Sequence, residues 1–234
     1  MATSISITTS RTDQAAAASY LSETLDRLGC PHAYIGGFAW ALLGNRRPTE
    51  MNVLIETKNL DMVALRSQLQ ELSKKFASAG IKLYFVKEPL GDLRGDELVR
   101  ASKNNVLIET LSAGTLGLPN IAGPVYKVEY GSGISIEILH PGILILTKMK
   151  RWYHNLESTR PKTLVKNSSD RRDLDYLVSW LADNKMTIEF ELYEGKSKDE
   201  LLKFVRIYRE QVGENELLME ALKTAVKPLD WDLL

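Results

Sequence analysis

One stretch decides the fold of this 234-residue chain: Tyr34-Ile-Gly-Gly-Phe-Ala-Trp-Ala-Leu-Leu-Gly44, followed at once by Asn45-Arg-Arg-Pro-Thr-Glu-Met-Asn-Val-Leu-Ile55. An apolar strand ends in paired glycines, an apolar helical run follows, and a second strand begins after a short basic turn. The pair Gly36-Gly37 lets an anion approach the backbone closely, although a tight turn without a ligand also uses such a pair. The stretch predicts a strand–helix–strand unit with a candidate phosphate-binding turn.

Polar residues follow the glycine pair and lead into the second strand. Glu50 and Asn52 are spaced i, i+2, so both side chains lie on one face of the strand, about 7 Å apart along it. Oxygen-bearing side chains placed in this way can hold a hard cation such as Mg²⁺, or they can form a polar strand entrance without a ligand. Arg46 and Arg47 add positive charge in the turn, where phosphates of a ligand would lie.

A third candidate is Glu137, in the predicted strand 134–139. Isoleucines alternate with Ser135 and Glu137 along this strand, so the glutamate lies on the face opposite the isoleucines. A carboxylate buried there needs a cation or a hydrogen-bond donor, whereas on an exposed sheet face it costs little. Glu137 is therefore a candidate metal ligand or catalytic carboxylate.

The segment 148–173 is rich in basic residues within a chain that has no net charge. A basic patch beside a glycine turn and carboxylates is what a nucleotide triphosphate or an RNA end requires, although charge runs are more often solvated helix faces. Lys148 and Lys150 are the candidate phosphate ligands in this segment. Trp152 and Tyr153 can stack on a base, but their helical spacing also fits a core.

The composition bounds the class of protein. A content of 44% hydrophobic and 26% charged residues is ordinary for a globular protein, and no apolar run reaches the length of about 18 residues that a membrane helix needs. Thirty basic residues balance thirty acidic ones, which argues against nucleic acid as the partner. The single cysteine, Cys30, forms no internal disulfide and fits a reducing, cytoplasmic compartment.

The pattern of elements divides the chain into a flexible N-terminus at 1–12, an α/β domain at 13–140 and a helical domain at 141–234 packed on it. Asp13 is the expected cap of the first helix. Helices are predicted at 14–28, 38–43, 60–79, 143–153, 170–182, 198–212 and 214–225, and strands at 33–35, 51–55, 82–86, 106–111, 125–130 and 134–139.

Taken together, these motifs resemble the nucleotidyltransferase superfamily, the DNA polymerase β-like group, over about residues 14–184. The run 34–44 resembles its Gly-Gly or Gly-Ser turn, the run 46–55 its Asp-x-Asp strand, and Ser135-Ile-Glu-Ile-Leu139 its later carboxylate strand. The helical runs 144–152 and 170–177 are similar to those of members related to abortive-infection toxins and to fungal hypothetical proteins. The resemblance implies an α+β fold: a minimal mixed β-sheet with flanking helices, followed by a C-terminal all-helical part.

The metal motif departs from that family. Its Asp-x-Asp appears here as Glu50-Met51-Asn52, so one carboxylate is replaced by a neutral amide, and a two-metal site needs the charge of both. We therefore expect a degenerate fold member that keeps a cleft for a nucleotide or another small molecule. The alternatives are a one-metal nucleotidyltransferase using Glu50 and Glu137, a cleft recruited for metal-independent acid/base chemistry on a small molecule, and a purely structural or partner-binding role.

Overall fold

The computed structural model describes residues 10–45, 49, 51–56, 76–78, 81–85, 106–121, 125–131 and 133–234. The chain divides into two compact units. The first unit comprises Met1–Ala113 with Lys127–Ile138, and the second comprises Gly114–Tyr126 with Leu139–Leu234. The segment 114–126, which the sequence pattern assigned to the α/β part, thus belongs to the helical unit.

The first unit is built on a mixed sheet with the strand order β3-β4-β5-β2-β1-β7-β6. β1 runs antiparallel to β2 and parallel to β7, while β2 runs parallel to β5. The strands are β1 (His32–Ile35), β2 (Met51–Ile55), β3 (Phe76–Ser78), β4 (Ile81–Phe85), β5 (Val106–Ser112), β6 (Tyr126–Tyr130) and β7 (Ile134–Ile138). The predicted α+β fold with a mixed sheet and flanking helices is confirmed.

Pairing between strands divides the side chains of this sheet into two faces. Tyr34 is paired with Val53 and with Ile138, and these three side chains are fully buried on one face. The helix α1 (Arg11–Arg27) packs on that face, since the Tyr34 hydroxyl donates to the carbonyl of Ala18 at 2.9 Å. Residues one position along each strand point to the opposite face.

The helix α1 begins earlier than the sequence pattern predicted. Its first residue is Arg11, and the Ser10 hydroxyl accepts from the backbone N–H of Asp13 at 3.1 Å. Ser10 therefore caps the helix, in place of the predicted Asp13, because an N-cap side chain bonds to the amide two or three residues further on. Residues 11 and 12 consequently belong to α1, although the sequence analysis assigned them to a flexible lead-in.

The second unit is helical. Trp152 packs edge-to-face on Tyr208 at its centre, with ring centroids 5.8 Å apart. A capping box at Ser197 and Glu200 begins one helix, and Asn215 caps the next. The helices are α3 (Pro141–His154), α4 (Pro161–Asp183), α5 (Lys198–Val212), α6 (Glu216–Ala225) and α7 (Pro228–Trp231). Among the described residues, no helix is both long enough and apolar enough to cross a membrane.

Three further element predictions need correction. Phe76–Ser78 form strand β3, so the end of the helix predicted at 60–79 is wrong, and its part at 60–75 lies outside the described residues. α4 begins at Pro161, nine residues before the predicted start. Proline is favourable at the first helical position, and this outweighs the low helix propensity of the Thr, Asn and Ser residues between Pro161 and Asp170. The helix predicted at 38–43 is α2 (Gly36–Leu42), so the paired glycines form its first turn.

Candidate functional site

Two glycines with different backbone requirements join β1 to α2. Gly36 has φ +67°, a backbone conformation that residues with a side chain rarely adopt, and a Cβ there would lie 3.2 Å from Asn52 Oδ1. Gly37 has no positive φ, but a Cβ there would lie 1.7 Å from Thr49 Oγ1 and 2.7 Å from Thr49 Cβ. The backbone thus requires glycine at position 36, whereas the neighbouring Thr49 requires it at position 37.

Asn52 makes a direct hydrogen bond to Glu109 on the neighbouring strand. These residues are paired in the parallel β2–β5 register, and Asn52 Nδ2 donates to Glu109 Oε2 at 3.0 Å. Only the amide nitrogen can donate to a carboxylate, so Asn52 Oδ1 is left facing Gly36. Glu109, half-buried and joined to the glycine turn through Asn52, is a site residue that the sequence analysis missed.

Helix α1 contacts two residues that precede β2, Asn45 and Thr49. Gln14 is 6% exposed, and its Nε2 donates to the carbonyl of Thr49 at 2.8 Å. Arg11 donates to the carbonyl of Asn45, at the other end of the same segment. Thr49 therefore has a fixed backbone position above Gly37. Arg46, Arg47 and Glu50, which belong to this segment, lie outside the described residues.

The donor set around Asn52 decides how well a divalent cation fits there. Among the described residues, no cluster of three His, Cys, Asp or Glu side chains could hold a metal ion. Two bridging carboxylates repel each other unless cations lie between them. Here the amide of Asn52 donates a hydrogen bond to the Glu109 carboxylate, so this pair needs no cation. The described residues therefore do not fit the two-metal site that the resemblance implies.

Glu137 is on the same face of the sheet as Asn52 but in a different place. It precedes Ile138, the partner of Tyr34, while Asn52 is paired with Ile35, so both point away from the Tyr34 face. Strand β1 separates β7 from β2, which sets them about 10 Å apart, and Glu137 Oε1 contacts Lys127 Nζ at 3.3 Å. The described structure does not bring Glu137 and Asn52 together, and the role of Glu137 stays a prediction.

Lys148 lies in a buried charge cluster of the second unit. Its ammonium contacts Asp170 Oδ1 at 3.1 Å and Asp173 Oδ2 at 2.7 Å, and these three residues are at most 4% exposed. Arg151 adds a bidentate pair of hydrogen bonds to Asp170. Burial, together with the charge of Arg151, lowers the pKa of Lys148 despite the two carboxylates. The expectation that Lys148 faces a ligand is corrected, because its charge is buried and matched by Asp170 and Asp173.

This cluster predicts a loss of stability in acid. Burial opposes ionisation of Asp170, but the hydrogen bonds and charges of Arg151 and Lys148 outweigh it and lower the pKa of that carboxyl. The stability it contributes is present above the unfolded pKa of about 4 and is lost as the pH falls through the lower folded value. We expect the free energy of unfolding in urea to fall between about pH 5 and pH 2, and to fall less steeply in Asp170→Asn. Equal slopes in the two proteins would contradict this account.

Lys150 holds a surface loop of the second unit. Its Nζ donates to the carbonyls of Leu116 and Gly117, and the Tyr193 hydroxyl donates to the same Gly117 carbonyl at 2.7 Å. Partial burial and the charge of Lys196 lower the pKa of Lys150. Its ammonium thus orders residues 116–117, and a phosphate-binding role for it stays a prediction.

The aromatic residues proposed for stacking differ in exposure. Trp152 is 1% exposed and belongs to the core of the helical unit. Tyr153 is half-buried, tilted against Phe204 at 4.9 Å, and carries Lys203 Nζ 5.4 Å from its ring centroid. Burial excludes Trp152 from stacking on a ligand.

Comparisons with known proteins give a match at the level of structure. The chain is similar to the crystal structure of an antigenic nucleotidyltransferase-like protein from Paracoccidioides brasiliensis, with a TM-score of 0.59 and 17% sequence identity. The alignment covers 92% of this chain and 94% of that one. No family model matches the sequence, and a search of curated proteins gives no match. The likeness shows that the chain has the nucleotidyltransferase-like fold.

Proposed function

We propose that this chain is a degenerate nucleotidyltransferase-fold protein that keeps a ligand-binding cleft beside Gly36 and Gly37 and has lost ordinary two-metal nucleotidyl transfer. The observation that carries the proposal is the hydrogen bond from Asn52 to Glu109. A neutral amide occupies the position next to a carboxylate where a two-metal site needs a second negative charge. The cleft would then bind its ligand without bridging metal ions.

The ligand of this cleft is a nucleotide or another small molecule. Thr49 and Asn52 lie against Gly37 and Gly36, and together with Glu109 they supply hydroxyl, amide and carboxylate groups beside the glycine turn. Such a set can position a polar ligand through hydrogen bonds alone. The motifs around residues 34–55 favour a nucleotide as the first class to test.

We expect nucleotides to stabilise the protein to the same degree with and without divalent cations. Thermal unfolding would be followed with ATP, GTP, CTP and UTP, each with Mg²⁺, with Mn²⁺ and with a chelator. At a hundred times the Kd, one bound nucleotide adds about 2.7 kcal/mol of stability. No shift with any nucleotide would overturn nucleotide binding, and a shift that needs the cation would overturn the metal-free cleft.

A transfer assay separates this proposal from a one-metal enzyme. We expect labelled nucleoside triphosphates to give no incorporation into candidate acceptors with any cation. If incorporation occurs, Glu109→Gln and Glu137→Gln form a matched pair, since each removes one charge and keeps the shape of the side chain. Loss in Glu137→Gln alone would support the alternative that uses Glu50 and Glu137, whereas loss in Glu109→Gln would locate the chemistry next to Asn52.

A further inference from the structure

We infer that Thr49 is a ligand-binding residue of this cleft, whose hydroxyl takes the place of a side chain at position 37. The inference rests on the proposed function, since it assigns a contact within the same cleft. It begins from the contrast between the two glycines. Gly36 is required by its positive φ, whereas Gly37 has no positive φ, and the described atoms nearest to a Cβ there all belong to Thr49.

The geometry of Thr49 resembles that of a serine side chain at position 37. Its Oγ1 would lie 1.7 Å from a Cβ on Gly37, which is close to the length of a carbon–oxygen single bond. A hydroxyl attached to residue 37 would lie at a similar distance from that Cβ, so one of its side-chain rotations can bring it close to the Thr49 oxygen. Thr49 brings a hydroxyl to the glycine turn from the start of the neighbouring strand.

The surroundings of Thr49 keep this hydroxyl in place. Gln14 is buried, and its amide bonds to the Thr49 carbonyl, so helix α1 fixes the backbone from which the side chain projects. At the adjoining Gly36, Asn52 Oδ1 lies 3.2 Å from the site of a Cβ. Thr49 thus lies over Gly37 and Asn52 over Gly36, so a ligand at this turn would meet a hydroxyl, which can make more than one hydrogen bond, next to an amide oxygen.

Isosteric variants test the hydroxyl itself. The probe is the nucleoside triphosphate that gives the largest shift among ATP, GTP, CTP and UTP, titrated into the full chain by calorimetry. We expect Thr49→Val to weaken binding about tenfold, the effect of one hydrogen bond to a charged group, while its melting temperature stays near that of the parent. Thr49→Ser should bind like the parent. Thr159→Val, the same change at an exposed position, is the control.

An exchange of the two residues gives a second, independent readout. Gly37→Ser alone is expected to destabilise the fold through its clash with Thr49, and Thr49→Gly alone to lose binding. The double variant Gly37→Ser/Thr49→Gly should regain both stability and affinity, because it removes the clash and returns a hydroxyl that can reach the vacated position.

The possible outcomes separate the two proposals. Binding by the parent that Thr49→Val leaves unchanged would overturn the role of Thr49 and leave the proposed function standing. A double variant that regains stability without affinity would overturn that role as well. A parent chain that binds none of the four nucleotides would overturn both.

Discussion

Lys148→Met is expected to lower the free energy of unfolding by about 3–5 kcal/mol, since removing one partner of a buried ion pair leaves the other charge uncompensated. Asp170 and Asp173 would both remain buried, while Arg151 would still contact Asp170. Methionine keeps the length and much of the volume of the lysine stem, so packing changes contribute little. Urea unfolding at neutral pH measures the loss.

Lys162→Met is the matched control for this variant. Lys162 lies on the exposed first turn of α4, and the same substitution there should change stability by less than about 0.5 kcal/mol. A loss at Lys148 no larger than the loss at Lys162 would contradict the structural role of the cluster. It would also reopen the earlier expectation that this lysine serves a ligand.

Asn52→Asp is expected to convert a metal-independent pair of side chains into a cation-dependent one. The change replaces a hydrogen bond with two carboxylates at close range, which should destabilise the cation-free protein by about 2–4 kcal/mol. A divalent cation between the two carboxylates would restore that stability. Thermal unfolding in a series of Mg²⁺ and Mn²⁺ concentrations measures both effects.

The parent chain and Gln211→Glu provide the controls for the cation effect. Gln211→Glu adds one negative charge on the exposed side of α5 and should gain no cation dependence. If Mg²⁺ and Mn²⁺ leave the melting temperature of Asn52→Asp unchanged, as in the two controls, the pair Asn52–Glu109 is not the remnant of a metal site. The proposed loss of two-metal chemistry would then lack its main support.

The elements that the sequence predicted best are those whose signals are local. The strand Met51–Ile55 and the helix Lys198–Val212 have the predicted bounds, because a short apolar run in the one and helical spacing in the other continue to a polar or glycine boundary. Strand β3 was missed because Phe76 also continues the apolar spacing of the preceding helical pattern. Pairing with β4 decides the conformation there, and that partner is not visible in a local pattern.

The candidate site depended more on contacts between distant residues. Gly36, Gly37 and Asn52 were identified from the motif, but Glu109 was not, although it is a glutamate inside an apolar strand by the same criterion that identified Glu137. Strand order explains the difference, since β5 is the neighbour of β2 whereas β7 lies beyond β1. Lys148 was misassigned because its partners, Asp170 and Asp173, come from another helix.

The Asn52–Glu109 hydrogen bond also has a consequence for how the sheet assembles. Strands β2 and β5 are joined across 57 residues of sequence, and parallel pairing over such a distance forms slowly. A slip by one residue would turn Asn52 toward the packed face and Met51 away from it. The Asn52–Glu109 hydrogen bond forms only in the native register of β2 and β5. It therefore stabilises that register over a shifted one during folding, whatever ligand the folded protein binds.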